Sequence, residues 1–228
     1  MQLCVALDLP TMAENITLVE KLKTFDNIWL KVGFRAYIRD GKPLLDAIKK
    51  INPKFKIFLD LKLYDIPNTM ADAAESIMEL GIDMFNVHAS AGKVAMSTVM
   101  ERLKPYPNRP IVIAVTALTS FDEENFQAIY NESIAQKADK FAIDTAASLM
   151  DGVVCSAFES ASIKNKTHKA FITLCPGIRP FGEDAGDQKR VATLEVAQKE
   201  LVDFIVVGRP IYKSDDPAAV VSKILKTI

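Results

Sequence analysis

The sequence has few cysteines, and their positions exclude two common uses. Cys4, Cys155 and Cys175 are odd in number and far apart, so they fit neither a disulfide framework nor a CxxC metal or redox site. We expect buried or partly buried thiols in a reducing compartment.

The sequence also has no secretory leader pattern and no long apolar run. Residues 1–8 contain no basic residue and reach Asp8 after only a few apolar positions, which does not fit a signal peptide. No apolar run is long enough to cross a bilayer. By elimination we expect a cytoplasmic protein that does not associate with a membrane.

An excess of positive charge is missing as well. The chain has 28 Lys and Arg against 29 Asp and Glu, and its formal net charge is -1. Because a polyanion needs a basic surface, we expect no nucleic-acid partner. A small phosphorylated ligand needs only a few local cations and is compatible with this balance.

The sequence does contain a regular alternation of short apolar runs and longer amphipathic stretches. This alternation is typical of a parallel sheet with crossover helices. The runs predict strands at residues 3–9, 28–33, 56–63, 84–88, 111–118, 152–156, 170–175 and 204–208. Apolar residues at helical spacing predict helices at residues 70–80, 93–103, 137–150, 191–201 and 217–226.

The number of strand–helix units favours a closed barrel over an open doubly wound sheet. Eight units in 228 residues fit a small α/β protein of the (β/α)8 TIM-barrel class, and the first strand lacks a GxGxxG turn. No linker-like segment divides the chain, so residues 1–228 are predicted to form one catalytic domain. Polar segments 119–131 and 176–189 are predicted to be mobile loops on the catalytic face.

The third predicted strand carries two opposite charges in an otherwise apolar run. Asp60 and Lys62 alternate with Leu59, Leu61 and Leu63. Because successive side chains of a strand point to opposite faces, the charged pair should face the barrel mouth and the leucines should face the helices. A buried charge is costly unless it is paired, so further charged groups are expected nearby.

Three more charged residues lie near neighbouring predicted strand ends. They are Asp8, Lys31 and Asp65. Adjacent strands lie about 5 Å apart, so we expect an alternating array of Lys31, Asp60, Lys62 and Asp65. Such an array could serve only to hold the strands in register, but four converging charges favour a catalytic role. Lys62 would stay protonated between anions, as a proton donor or a stabiliser of a carbanion.

The run at residues 60–69, Asp-Leu-Lys-Leu-Tyr-Asp-Ile-Pro-Asn-Thr, matches a DxKxxDIPxT motif at every defined position. With this motif the chain resembles the orotidine 5'-phosphate decarboxylase family. Further segments similar to that family occur in the expected order, at residues 5–8, 31–33, 115–120, 175–179, 187–190 and 207–210.

The resemblance implies decarboxylation of orotidine 5'-monophosphate to uridine 5'-monophosphate in pyrimidine biosynthesis, by a homodimer without metal or organic cofactor. It implies that Lys62 protonates C6 of the pyrimidine as carbon dioxide leaves. Asp60 and Asp65 would hold Lys62 and crowd the substrate carboxylate. Asp65 would act in the partner subunit's site, together with Ile66 and Thr69.

The resemblance also implies the ligand contacts. Asp8 and Lys31 would bind ribose hydroxyls, with Lys31 also holding Asp60, and Thr119 would contact the pyrimidine. The phosphate would be held by residues that follow the seventh and eighth strands, where TIM barrels commonly bind phosphate. These residues are Arg179, Gln188, Gly208 and Arg209.

Two alternatives stay open at this point. One is a sugar-phosphate lyase or decarboxylase of the same barrel superfamily, which also carries a DxKxxD strand but uses Mg²⁺ to hold an enediolate. Residues 66–69 and Gln188 argue against it. The other is a non-catalytic nucleotide-binding barrel. Lys62 and its flanking carboxylates argue against that, because a binding protein gains nothing from repelling an anionic group.

Two other polar or aromatic residues are interpreted as structural. His88 ends a strand without a second histidine or a metal-ligand spacing, so it is expected to be a hydrogen-bonded structural residue. Trp29, at the start of a strand, is expected to pack in the core.

Overall fold

The computed structural model describes residues 1–184 and 190–228. Its strands are all parallel and form a closed barrel in chain order, with the last strand paired to the first. The predicted TIM barrel is confirmed. The strands are β1 Gln2–Ala6, β2 Trp29–Gly33, β3 Lys56–Leu63, β4 Met84–His88, β5 Ile111–Val115, β6 Gly152–Val154, β7 Ile172–Cys175 and β8 Phe204–Val207.

Helices connect the strands on the outside of the barrel. They are α1 Met12–Lys21, α2 Phe34–Ile51, α3 Pro67–Met78, α4 Gly92–Leu103, α5 Glu123–Tyr130, α6 Ile134–Ala147, α7 Ser160–Lys166, α8 Leu194–Lys199, α9 Arg209–Tyr212 and α10 Pro217–Thr227. Helix α2 is kinked at Gly41, which has a φ of 56°. Within the described ranges, none of these helices has the length and apolar character needed to cross a membrane.

The connection after β5 differs from the sequence prediction. Residues 119–131 were expected to be a loop, but most of the segment is helix α5. The Asp122 side chain accepts a hydrogen bond from the Asn125 backbone N–H and caps the helix. Phe126 is fully buried on its inner face. The cap and the buried Phe126 side chain therefore both stabilise a short helix in this polar segment.

The apolar core has two layers that agree with the predicted faces of the strands. Inside the barrel, the rings of Trp29 and Phe204 meet edge to face at 5.2 Å, which confirms that Trp29 packs in the core. Between barrel and helices, Leu59 is fully buried and Leu61 and Leu63 pack against the same cluster. The outward orientation of the leucines is confirmed. All three cysteines are buried.

An ion-pair motif is repeated three times at the amino-terminal end of the barrel. The residue directly before β4, β6 and β8 is an aspartate whose carboxylate accepts a backbone N–H from the neighbouring strand. The pairs are Asp83 with Ile57 at 2.9 Å, Asp151 with Val112 at 2.7 Å and Asp203 with Thr173 at 2.8 Å. Each carboxylate also pairs with a basic side chain, from Lys49 and Lys56, Arg109 and Lys164 respectively.

Candidate active site

The carboxyl-terminal ends of the strands open into a cavity of about 290 Å³. This volume is near the lower end of the roughly 300 to 1,000 Å³ typical of ligand sites. The apolar floor is formed by the barrel interior, with Ala6, Phe58, Val115, Val154, Leu174 and Val206. The polar lining includes Asp8, Lys31, Asp60, Lys62, Thr119, Arg179, Gly208 and Arg209, all of which the sequence predicted for the site.

Four charged side chains form a continuous array on the β1 to β3 side of the cavity. The Lys31 Nζ atom lies 3.1 Å from Asp8 Oδ1 and 3.4 Å from Asp60 Oδ2. The Lys62 Nζ atom lies 2.6 Å from Asp60 Oδ1. The Lys62 side chain is 35% exposed, against 13% for Asp60, so the ammonium of Lys62 is the more accessible end of this pair.

The array holds Asp60 and Lys31 in their charged forms. Burial alone would raise the pKa of Asp60, but the ammonium groups of Lys31 and Lys62 outweigh it and lower that pKa below the usual range. Burial alone would lower the pKa of Lys31, but the carboxylates of Asp60 and Asp8 raise it above the usual range. Asp60 is therefore an anion that can fix a neighbouring ammonium.

The backbone of Lys62 has an unusual conformation. Its φ is 54°, in the left-handed region that costs a non-glycine residue about 1 to 3 kcal/mol. The register between β3 and β4 also shifts here, because Leu59 pairs with Phe85 but Leu63 pairs with Val87. The irregular stretch of β3 therefore includes both Asp60 and Lys62.

Asn86 in β4 connects these two residues, although the sequence predicted no role for it. Its Oδ1 atom accepts the Lys62 backbone N–H at 2.7 Å, and its Nδ2 donates to Asp60 Oδ1 at 2.8 Å. The side chain is fully buried. The signal that could have identified it is an amide between the apolar residues Phe85 and Val87, on a strand next to the charged one.

The expected array of Lys31, Asp60, Lys62 and Asp65 is not complete within this one chain. Asp65 is exposed and its carboxylate accepts the adjacent Ile66 backbone N–H at 2.7 Å. Among the described residues no ion pair joins Asp65 to a lysine. The reason is local, because Asp65 lies past the end of β3 where the chain turns into α3. Asp8 instead occupies an end of the array.

Ile66 and Thr69, the other residues predicted to act in a partner's site, are also exposed. They lie beside Asp65 at the start of α3 and do not line the cavity of their own chain. The structure therefore separates the twelve predicted site residues into a cavity group and a surface group, with Gln188 outside the described residues.

The connections after β7 and β8 contribute the predicted phosphate side. Arg179 is buried, and its Nε donates to the Asp184 carbonyl at 2.7 Å. Gly208 is closely surrounded, because a Cβ there would lie 3.3 Å from Tyr212 Cε1 and 3.4 Å from Ala6 Cβ. Arg209 follows at the start of α9.

Arg190 ends the segment 187–190, and the sequence predicted no role for it. Its guanidinium pairs with the Glu159 carboxylate, and Nη2 lies 3.4 Å from the Ala117 carbonyl oxygen. Burial raises the pKa of Glu159, although the positive charge of Arg190 opposes this. Arg190 thus ties the end of the connection after β7 to the segment that leads to Thr119.

His88 behaves as a structural residue, as predicted. Its Nδ1 accepts the Ser90 backbone N–H at 3.2 Å, and its ring stacks on Tyr64 at 5.9 Å. Burial and then the charge of Lys62 lower its pKa, which keeps the imidazole neutral. In the part of the chain that the structure describes, His, Cys, Asp and Glu form no cluster suited to hold a metal ion.

Known proteins are similar to this chain in sequence and in fold. The chain is 68% identical over 228 residues to "Orotidine 5'-phosphate decarboxylase" of Sulfurovum sp. (strain NBC37-1), covering 100% of this chain and 99% of the relative. A solved structure of orotidine 5'-phosphate decarboxylase from Lactobacillus acidophilus has a TM-score of 0.86 and 31% identity, covering 99% of this chain and 97% of that one. 

A more distant solved structure shows the same fold. Orotidine 5'-monophosphate decarboxylase from Methanocaldococcus jannaschii, complexed with inhibitor BMP, has a TM-score of 0.79 at 23% identity. The alignment covers 99% of this chain and 97% of that one. The family model matches residues 1–224, which include the whole charged array. By this match and by its 68% identity to the Sulfurovum protein, the chain belongs to the Orotidine 5'-phosphate decarboxylase / HUMPS family.

Proposed function

We propose that this chain decarboxylates orotidine 5'-monophosphate to uridine 5'-monophosphate and carbon dioxide, a step of pyrimidine nucleotide biosynthesis. It is then a carbon–carbon lyase. The observation that carries the proposal is the Lys62 ammonium fixed 2.6 Å from Asp60 in the cavity. The family and the name of the relative at 68% identity support the substrate.

Lys62 is the proton donor in this proposal. Loss of carbon dioxide breaks the bond to C6 and leaves its electron pair on that carbon. A preplaced ammonium stabilises this developing charge and then transfers a proton from Nζ to C6. At a distance of about 4 Å and an effective dielectric near 20 this contact contributes about 4 kcal/mol. Enzymes supply roughly 8 to 23 kcal/mol, so other interactions must contribute.

Asp60 and Lys31 position that donor. The lowered pKa of Asp60 keeps its carboxylate ionised at neutral pH, so it holds the Lys62 ammonium and repels a substrate carboxylate placed beside it. Lys31 balances the charge of Asp60 from its other oxygen and, with Asp8, is placed to bind ribose hydroxyls.

Binding of the distant parts of the substrate supplies a further contribution. Arg179, Gly208 and Arg209, together with Gln188, form the phosphate site, and Thr119 contacts the pyrimidine. Binding energy from a non-reacting group can offset the cost of desolvating charges at the reacting end. The position of the described residues around one cavity supports this assignment.

The working unit is a homodimer in which Asp65, Ile66 and Thr69 complete the partner's site. Two observations support this: Asp65 is exposed, and large apolar side chains are exposed on both sides of it in the chain and after the neighbouring strand. The exposed fractions are 59% for Phe34, 69% for Ile38, 66% for Tyr64 and 67% for Ile66. These residues follow the adjacent strands β2 and β3 at the same end of the barrel. Exposed apolar surface of this kind is typical of an interface.

A mixing experiment tests the shared site. Lys62→Ala and Asp65→Ala variants, each inactive alone, should recover part of the activity when they are refolded together. One of the two sites in the mixed dimer then has both residues intact. Verified mixed dimers without activity would contradict the proposal.

The charged array also bears on the Mg²⁺-dependent alternative. Mg²⁺ prefers carboxylate oxygens as ligands. Here Lys31 pairs with both Asp8 and Asp60, and Lys62 also pairs with Asp60, so cations of the chain itself already neutralise these carboxylates.

The decarboxylation proposed here uses no metal or organic cofactor, and residues 1–228 act as one catalytic domain. We place this domain in the cytoplasm, where its three free cysteines would remain reduced.

Incubation of the purified protein with orotidine 5'-monophosphate after metal chelation tests the function. We expect release of carbon dioxide in a one-to-one ratio with uridine 5'-monophosphate. Absence of turnover would reject the function. Metal-dependent turnover of a keto-sugar phosphate would support the alternative instead.

A further inference from the structure

In the irregular stretch of β3 that carries Asp60 and Lys62, backbone groups need hydrogen-bond partners other than those of regular strand pairing. The register with β4 advances by four residues on β3, from Leu59 to Leu63, but by only two on β4. Backbone groups in such a bulge lose their regular partners. The Lys62 N–H finds its partner in a side chain, the Asn86 amide, at 2.7 Å.

We propose that Asn86 is a positioning residue that sets the direction of the Lys62 side chain through two simultaneous hydrogen bonds, an inference that rests on the proposed function. One bond holds the Lys62 backbone in its left-handed conformation, with a φ of 54°. The other holds the Asp60 oxygen that binds the Lys62 ammonium. Asn86 does not line the cavity, so it acts on the reaction only through these two residues.

The chemistry of an amide suits both bonds. Its oxygen accepts and its nitrogen donates, and the two groups are fixed in one plane. Asp60 Oδ1 receives both the Lys62 ammonium and the Asn86 Nδ2, at 2.6 and 2.8 Å. The same amide therefore fixes the backbone and the counter-ion of one lysine. A packing residue in this fully buried position would have no need of either polar group.

Two substitutions of similar size separate positioning from packing. Asn86→Leu removes both hydrogen bonds. Asn86→Asp keeps the acceptor for the Lys62 N–H, but at neutral pH it places a second carboxylate against Asp60. When that carboxyl is protonated, it again offers one donor and one acceptor. Sharing of a proton between two close carboxylates raises the pKa of one of them.

We expect Asn86→Leu to lower kcat about 10²-fold at every pH, as for other small misplacements of reacting groups, with a much smaller change in KM. Asn86→Asp should have a similar defect at neutral pH and should recover relative to the unmodified protein as the pH falls. At each pH, the kcat of Asn86→Asp is divided by the kcat of the unmodified protein. Because both proteins act on the same substrate, this ratio does not depend on how the substrate ionises. Binding of uridine 5'-monophosphate should be retained in both variants.

Thr173→Val is the matched control. Thr173 is also fully buried in a strand, and its hydroxyl bonds to Ser160 and Asp203 at the opposite end of the barrel. This change should lower the melting temperature but leave kcat and its pH profile unaltered.

Three outcomes would overturn the proposal. If the unmodified protein is active, either of two results would reject the role of Asn86 without affecting the proposed function. One is an unchanged kcat in Asn86→Leu, and the other is a pH profile of Asn86→Asp parallel to that of the unmodified protein. If Asn86→Leu does not fold, the pH profile of the nearly isosteric Asn86→Asp decides alone. A parent without decarboxylase activity would reject both proposals.

Discussion

The two ends of the barrel use aspartate in different ways. At the amino-terminal end, Asp83, Asp151 and Asp203 each accept a backbone N–H of the neighbouring strand and pair with a basic side chain. At the carboxyl-terminal end, the partners of the Asp60 carboxylate among the described residues are the side chains of Lys31, Lys62 and Asn86. The same type of residue therefore stabilises strand pairing at one end and holds the lysines of the cavity at the other.

The backbone shows the same division. The strands are regularly paired where the amino-terminal aspartates act, but the register shifts and φ is positive where Lys62 is placed. A hydrogen bond to a charged group stabilises a fold by about 1.5 to 3 kcal/mol, and a residue with a strained backbone costs a similar amount, about 1 to 3 kcal/mol. We therefore expect substitutions at the amino-terminal end to change the free energy of unfolding and those at the carboxyl-terminal end to change activity.

Three substitutions compare the two ends of the barrel. Asp60→Ala is expected to have the largest effect of the three, and this effect should be on activity. The change leaves Lys31 and Lys62 without their shared counter-ion, so the Lys62 ammonium loses its fixed position. By comparison with the removal of other preorganised electrostatic groups, kcat should fall about 10²- to 10³-fold. Steady-state kinetics measure this. A fall in melting temperature with an unchanged kcat would place Asp60 with the structural aspartates.

Asp151→Ala is the matched change at the amino-terminal end. It removes the acceptor of the Val112 N–H and both contacts to Arg109, at 2.6 and 2.9 Å. The free energy of unfolding should fall by about 1.5 to 3 kcal/mol in a denaturant titration. The kcat of the folded variant should not change, and a large loss of kcat would contradict the division between the ends.

Gly33→Ala should have the smallest effect. A Cβ at this position would lie 2.9 Å from Lys31 Nζ and 3.0 Å from Asp8 Oδ1, so it would push apart the pair proposed to bind the ribose. We expect a modest rise in KM that exceeds the change in kcat. Steady-state kinetics would decide. A change confined to kcat would show instead that the disturbance reaches Lys62 through Asp60.

Local alternation was enough to predict the faces of β3. Asp60 and Lys62 line the cavity and Leu59 packs in the outer core cluster, as the alternation of side chains along a strand predicts. The barrel followed from the number of strand–helix units. The first prediction depends on one short segment and the second on the pattern of the whole chain, and neither requires knowledge of contacts between segments.

The remaining features depend on contacts between segments. The positive φ of Lys62 and the role of Asn86 arise from the register of two strands, which neither strand encodes alone. The outward position of Asp65 depends on where β3 ends. Helix α5 depends on the burial of Phe126 against the rest of the fold. Such features need the assembled structure.

The most direct test of the account is the substitution Lys62→Ala, with turnover and ligand binding measured on the same preparation. Because Lys62 is the proposed proton donor, we expect at least about a 10³-fold loss of kcat, equivalent to the roughly 4 kcal/mol of its charge interaction. Uridine 5'-monophosphate should still bind through the phosphate side of the cavity. An unchanged decarboxylation rate in Lys62→Ala would contradict the account.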